Sequence, residues 1–133
     1  MAAGRLPPDD PREWLNRARS NLIGARAAVP GRYLEDLCFD AQQAAEKAIK
    51  AVMIRRGIEF PYVHDLERLL RELQEFGEEV PEALWAAARL SRFASADRYP
   101  GAAPEPTDEE YREYLGVAEA VVRWAEERVG PGG

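Results

Sequence analysis

An all-α fold, an up-and-down bundle of about five helices, is predicted by three features of the sequence. Apolar residues recur at three- and four-residue spacing in most of the long stretches. Start and stop signals bracket those stretches: Asp10-Pro11 and Thr107-Asp108-Glu109-Glu110 open helices, and Pro30-Gly31, Gly57 and Gly77 close them. No stretch alternates at a period of two with β-branched residues, so no sheet is expected.

The elements follow in order. Residues 1–9 read as a disordered arm, and Asp10 as an N-cap with proline at the first helical position and Glu13 in the first turn. Leu15, Ala18, Leu22, Ala25 and Val29 form the apolar stripe of the first helix. A second helix, about Tyr33 to Arg56, repeats Leu34, Leu37, Cys38, Ala41, Ala45, Ala48, Ile49 and Val52 on one face, placing Lys47 and Lys50 with Gln43 opposite. Leu66, Leu69, Leu70 and Leu73 mark a third, shorter helix whose other face is expected to carry His64, Arg68 and Arg71.

Pro81-Glu82 opens a fourth helix with Leu84, Ala87, Ala88, Ser91 and Ala94 on one side. From Asp97 to Pro106 three prolines and a glycine rule out a helix and leave a long loop. The capping box Thr107 to Glu110 starts the last helix, whose stripe is Tyr111, Leu115, Ala118, Val122, Ala125 and Val129. The helical domain is therefore expected over residues 10–129, followed by a disordered tail, 130–133.

The 133 residues carry a net charge of −6, which gives no global electrostatic footprint for duplex nucleic acid. One cysteine, Cys38, and one histidine, His64, exclude an internal disulfide and a cysteine–histidine zinc site, so no metal is expected. No run approaches the ~20 apolar residues of a membrane span, and a cytoplasmic location is expected. There is no phosphate-binding glycine loop and no nucleophile with a base adjacent in sequence, so no autonomous enzyme is indicated. Among the basic residues sixteen are arginine and only two, Lys47 and Lys50, are lysine.

The run AQQAAEKAIKAVMIRRGIEFPYVHDLERLL, Ala41 to Leu70, resembles the signature of the HEPN domain, the higher eukaryotes and prokaryotes nucleotide-binding family. Its elements are a glutamine-rich helix with glutamate-lysine, a second lysine, a glycine, and histidine-aspartate-leucine opening the next helix. Arg98-Tyr99-Pro100, followed by an acidic helix start, is similar to the family's later arginine-tyrosine-proline element. The resemblance spans about Trp14 to Val129. It implies a helical bundle that pairs into homodimers, binds a nucleotide such as ATP, and serves as helical partner to a separately encoded minimal nucleotidyltransferase in a toxin–antitoxin-like module.

On that reading the nucleotide-binding candidates are Lys47, Lys50, His64, Arg68, Arg98 and Tyr99. Some branches of the family are metal-independent ribonucleases using an arginine and a histidine separated by four to six residues. Here Arg56 and His64 have seven residues between them, and Gly57, Ile58 and Glu59 stand where the closer arginine would be. RNA cleavage, with His64 as catalytic residue at a composite dimer site, is therefore the alternative rather than the leading reading. A third reading is a ligand-free dimeric interaction module, in which the mixed-charge face of the third helix and the apolar flanks Phe39 and Ile54 form a dimer or partner surface. The plain reading of the two lysines is a solvated face on which Glu46 pairs with Lys50 at i, i+4.

Overall fold

The computed structural model describes residues 4–94, 100 and 104–130. Helix α1 runs Pro11–Arg26, α2 Leu34–Arg55 and α3 Leu66–Glu75; a 3₁₀ helix follows over Glu82–Phe93, and α4 spans Asp108–Val129. There is no strand among the described residues. Helices α1, α2 and α4 form the main layer, with α3 and the 3₁₀ helix packed beside α2 and α4.

The start signals act as expected. The Asp10 carboxylate accepts the Arg12 backbone N–H, and hydrogen bonds from the Arg12 side chain and backbone hold it below the usual carboxylate range. Thr107 and Glu110 close a reciprocal capping box at α4. The stops are equally specific. At Gly57 and at Gly77, both with positive φ, the chain forms the same two bonds: the glycine N–H to the carbonyl three residues back, and the next N–H to the carbonyl five residues back. This is the Schellman arrangement, which requires a left-handed residue and hence favours glycine.

Three expectations are modified. The described part of the N-terminal arm is tied to α1 rather than frayed: the Leu6 N–H donates to Glu13 and the Trp14 Nε1–H to the Pro8 carbonyl. Helix α1 ends at Arg26, three residues before Val29, which lies exposed in the turn instead of on the stripe. The fourth element is a 3₁₀ rather than an α-helix. Its buried residues are Leu84, Ala87, Leu90 and Phe93, spaced by three throughout. In a 3₁₀ helix residues i and i+3 eclipse, so this spacing forms one straight apolar ridge. The Ser91 hydroxyl accepts the Leu66 backbone N–H and so pins this ridge to the start of α3.

Helix α2 is the centre of the bundle. Residues Ala48 to Met53 are buried without interruption, a pattern of a helix covered on all sides. Its alanines, Ala41, Ala44, Ala45, Ala48 and Ala51, are each fully inaccessible and let neighbouring helices approach closely. Gly24 on α1 contributes to the same closeness, since a Cβ there would lie 2.8 Å from the Asp40 carboxylate of α2. At the far end Glu78, buried just after α3, binds both Arg56 after α2 (3.0 Å) and Arg128 of α4 (3.3 Å), locking three segments together.

Candidate functional site

A central helix buries side chains that would be solvated on a surface helix, and here these include Gln42, Glu46 and Lys50. The three stand at i, i+4 and i+8 and therefore on one face, stacked along two turns. Glu46 is 5 % exposed and Lys50 6 %. The expectation that Lys47 and Lys50 share a solvated face with Gln43 is corrected for Lys50, which is interior, whereas Gln43 and Lys47 are each partly exposed.

Glu46 is the hub of this group. Lys50 Nζ donates to its Oε2 at 2.8 Å, Gln42 Nε2 donates to its Oε1 at 2.8 Å, and His64 Nδ1 lies 2.9 Å from Oε1. Burial by itself raises a carboxyl pKa, yet the bonds from Lys50, Gln42 and His64 outweigh it and hold Glu46 below the ordinary glutamate value. Glu46 is therefore an ionised carboxylate. An ionised carboxylate only accepts hydrogen bonds, so Nδ1 of His64 must carry the proton that faces it. The remaining ring nitrogen, Nε2, belongs to a side chain that is 62 % exposed.

His64 is not part of α3. Asp65 is the N-cap, accepting the N–H groups of Glu67 and Arg68, and the helix begins only at Leu66. The histidine instead ends the connector from α2 to α3, which curls back over α2. Phe60 in that connector lies beneath the Lys50 ammonium, 5.0 Å from ring centroid to Nζ, and meets Trp14 of α1 edge to face at 5.6 Å. The buried ammonium thus has a carboxylate on one side and an aromatic face on the other.

Lys47 turns toward α1. Its Nζ donates to Asn21 Oδ1 at 2.7 Å, Asn21 donates onward to Asp40, and Asp40 also accepts from Arg32. Partial burial and then the nearby Arg17 charge lower the Lys47 pKa from its ordinary value. Arg68 pairs along its own helix with Glu72 at 3.7 Å, and Arg71 with Glu67 at 2.9 Å. Arg98 and Tyr99 lie outside the described residues. Of the sequence candidates, then, the structure gathers Lys50 and His64 on one carboxylate and places Lys47 in a separate polar chain. Gln42 and Glu46 were missed as site residues.

Chemically the Glu46 group is a carboxylate–imidazole pair whose second ring nitrogen belongs to a largely exposed side chain. Such a nitrogen accepts a proton or hydrogen bond when the ring is neutral and donates one when it is charged. Among the described residues no cluster of histidine, cysteine, aspartate or glutamate is arranged to hold a metal ion. No described helix is long and apolar enough to cross a membrane. Arg56, the arginine nearest upstream of His64, is committed elsewhere, to Glu78 and to the Phe76 carbonyl.

Comparison with known proteins places this architecture. The family model of the HEPN domain matches residues 11–128, and the chain belongs to the HEPN family. Among solved structures, TT1696 from Thermus thermophilus is 36 % identical, the match covering 90 % of this chain and 98 % of that one with a TM-score of 0.76. ST0689, an archaeal HEPN homologue, is 27 % identical over 96 % of this chain and 100 % of its own, with a TM-score of 0.72. No curated protein matches the chain.

Proposed function

We propose that this HEPN protein binds the phosphate of a nucleotide at the outward edge of His64, and that it acts as the helical partner of a minimal nucleotidyltransferase in a toxin–antitoxin-like module. The supporting observation is the exposed imidazole oriented by a buried, ionised carboxylate. Glu46 fixes the ring and its tautomer, and Lys50 neutralises Glu46 inside the bundle. A phosphate oxygen accepts from Nε2 when it as well as Nδ1 carries a proton, in a charge-assisted hydrogen bond. Lys50 takes the role of a positioning residue on this reading. The partner supplies metal and transfer chemistry.

The test is calorimetric titration of the protein with ATP, GTP and their monophosphates, with and without magnesium. Binding that His64→Ala abolishes and Glu46→Gln weakens supports the reading, with the Glu46→Gln loss acting through the ring rather than through direct contact. Absence of heat and of thermal stabilisation for every nucleotide at millimolar concentration would remove nucleotide binding by the isolated chain.

The same imidazole favours a second reading, a ribonuclease in which Nε2 moves the proton of a 2′-hydroxyl. It is the weaker of the two, because the arginine expected to stabilise the scissile phosphate has no counterpart at family spacing and Arg56 is occupied. Metal-free cleavage of single-stranded RNA, lost in His64→Ala, is its signature.

A further inference from the structure

The connector from α2 to α3 carries Tyr62, the most exposed of the large hydrophobic side chains among the described residues, at 101 %. Its neighbours in the chain are tied down one after another. Ile58 is buried, and its N–H donates to the Met53 carbonyl at 2.8 Å. Phe60 meets Trp14 edge to face and lies under Lys50, Val63 packs against the core, and His64 is held by Glu46. Pro61 fixes its own φ, and its carbonyl accepts the Val63 N–H at 2.9 Å, closing a three-residue turn with Tyr62 at the apex. An anchored loop thus presents the Tyr62 ring to solvent, with no hydrogen bond or ring contact to any described residue.

We propose that Tyr62 is the base platform of the nucleotide site: the nucleobase, a purine by preference, stacks on the Tyr62 ring while a phosphate reaches the edge of His64. This rests on the nucleotide reading of His64 and adds the part of the ligand that His64 does not touch. Tyr62 and His64 are two residues apart, so their Cα atoms are separated by at most about 7 Å. The ribose that joins a base to its phosphate can span such a separation. None of Lys47, Lys50, Arg68 or His64 offers a face on which a base could stack, and Tyr62 supplies one.

The surroundings favour a base over a protein partner. An aromatic anchor in a protein interface works within a collar of contacts that excludes water. Here the exposed residues that flank Tyr62 in the chain are Glu59, His64 and Asp65, all polar. A nucleobase needs only one flat face to stack on, and a ring borne on an anchored loop loses little freedom when it is covered. The Asp65 carboxylate is turned to the N–H groups of Glu67 and Arg68, so it is engaged by the start of α3. Purines are preferred because two fused rings cover more of the phenol than a single pyrimidine ring does, and the gain follows the area covered.

Calorimetric titration of the full chain with ATP, AMP, UMP and ribose 5-phosphate tests this, with circular dichroism melting as the control for folding. Ribose 5-phosphate is AMP without its base, so the comparison isolates the stacking. The wild type is expected to bind AMP about 5- to 150-fold more tightly than ribose 5-phosphate, with UMP between them. Tyr62→Ala is expected to melt as the wild type does, to lose that factor for ATP and AMP, and to bind ribose 5-phosphate unchanged; Tyr62→Phe keeps the factor. His64→Ala is expected to weaken all four ligands. If Tyr62→Ala binds ATP and AMP as the wild type does, the platform is overturned and phosphate binding at His64 stands. Equal losses for AMP and ribose 5-phosphate in Tyr62→Ala also overturn it, since the ring would then shape the connector rather than meet a base. UMP bound as tightly as AMP overturns the purine preference. A wild type that binds neither ATP nor AMP at millimolar concentration overturns the platform and the nucleotide reading together.

Discussion

Replacing Glu46 by alanine is the most demanding test of the central polar group. The substitution removes the carboxylate that accepts from Lys50 and Gln42, both interior, and from His64, which is largely exposed. Stripping one partner from a buried ion pair costs about 3–5 kcal/mol, because the surviving charge stays desolvated. The exposed histidine adds at most about 1 kcal/mol. Against a total stability of about 5–15 kcal/mol this is a large fraction. For a domain of this size each kcal/mol is worth roughly 3–4 °C, so the melting temperature should fall by roughly 9–24 °C.

Urea denaturation at neutral pH measures the loss directly. The partner experiment is Glu46→Leu with Lys50→Met, which replaces both charges by apolar side chains. The uncompensated ammonium is then gone, and the remaining loss is the orphaned Gln42 amide, about 1–3 kcal/mol. The reasoning is refuted if Glu46→Ala costs under about 1 kcal/mol, as a surface pair would, or if the double replacement is no better tolerated than the single one.

The remaining predictions concern neighbouring devices. Since the folded pKa of Glu46 lies below its ordinary value of about 4.3, its contribution is complete above that value and is lost as pH falls through the folded pKa. Urea midpoints measured from neutrality down to acid pH should therefore drop less steeply in Glu46→Gln than in the wild type. Gly24→Ala should gain almost nothing in the wild type, because the helix-propensity gain of about 1 kcal/mol is offset by displacement of Asp40 from Asn21 and Arg32. In an Asp40→Ala background the same change should recover the full ~1 kcal/mol, read by denaturation of the four variants. Glu78→Ala, which releases Arg56 and Arg128 together, should lower stability by about 2 kcal/mol.

Much of the bundle is legible in the amino-acid order because its punctuation is local. Asp10, the Thr107–Glu110 box, Gly57 and Gly77 act through bonds within a few residues of themselves, and local chemistry survives without knowledge of the fold. The 3₁₀ helix was not legible, since Leu84 and Ala87 fit equally well an α-helical stripe continuing through Ala88, Ser91 and Ala94, whereas the buried ridge continues through Leu90 and Phe93. The decision between the two depends on the straight seam presented by α2 and α4. The site was half legible. His64 stands out as a lone titratable residue, whereas Glu46 looked like half of an ordinary i, i+4 surface pair with Lys50. What marks it as interior is the unbroken burial from Ala48 to Met53, which takes in every side of α2 and belongs to the assembled bundle rather than to any one apolar stripe in the sequence.

Cys38 is the only thiol in the chain, sits near the start of α2 and is wholly inaccessible. A bulky thiol reagent can reach it only when the bundle opens, so the rate of labelling is an intrinsic clock of that opening. The molecule thereby carries its own reporter at its centre. Nucleotide, a partner chain or a second copy, added one at a time, would each register as a slower clock without a tag or dye being introduced.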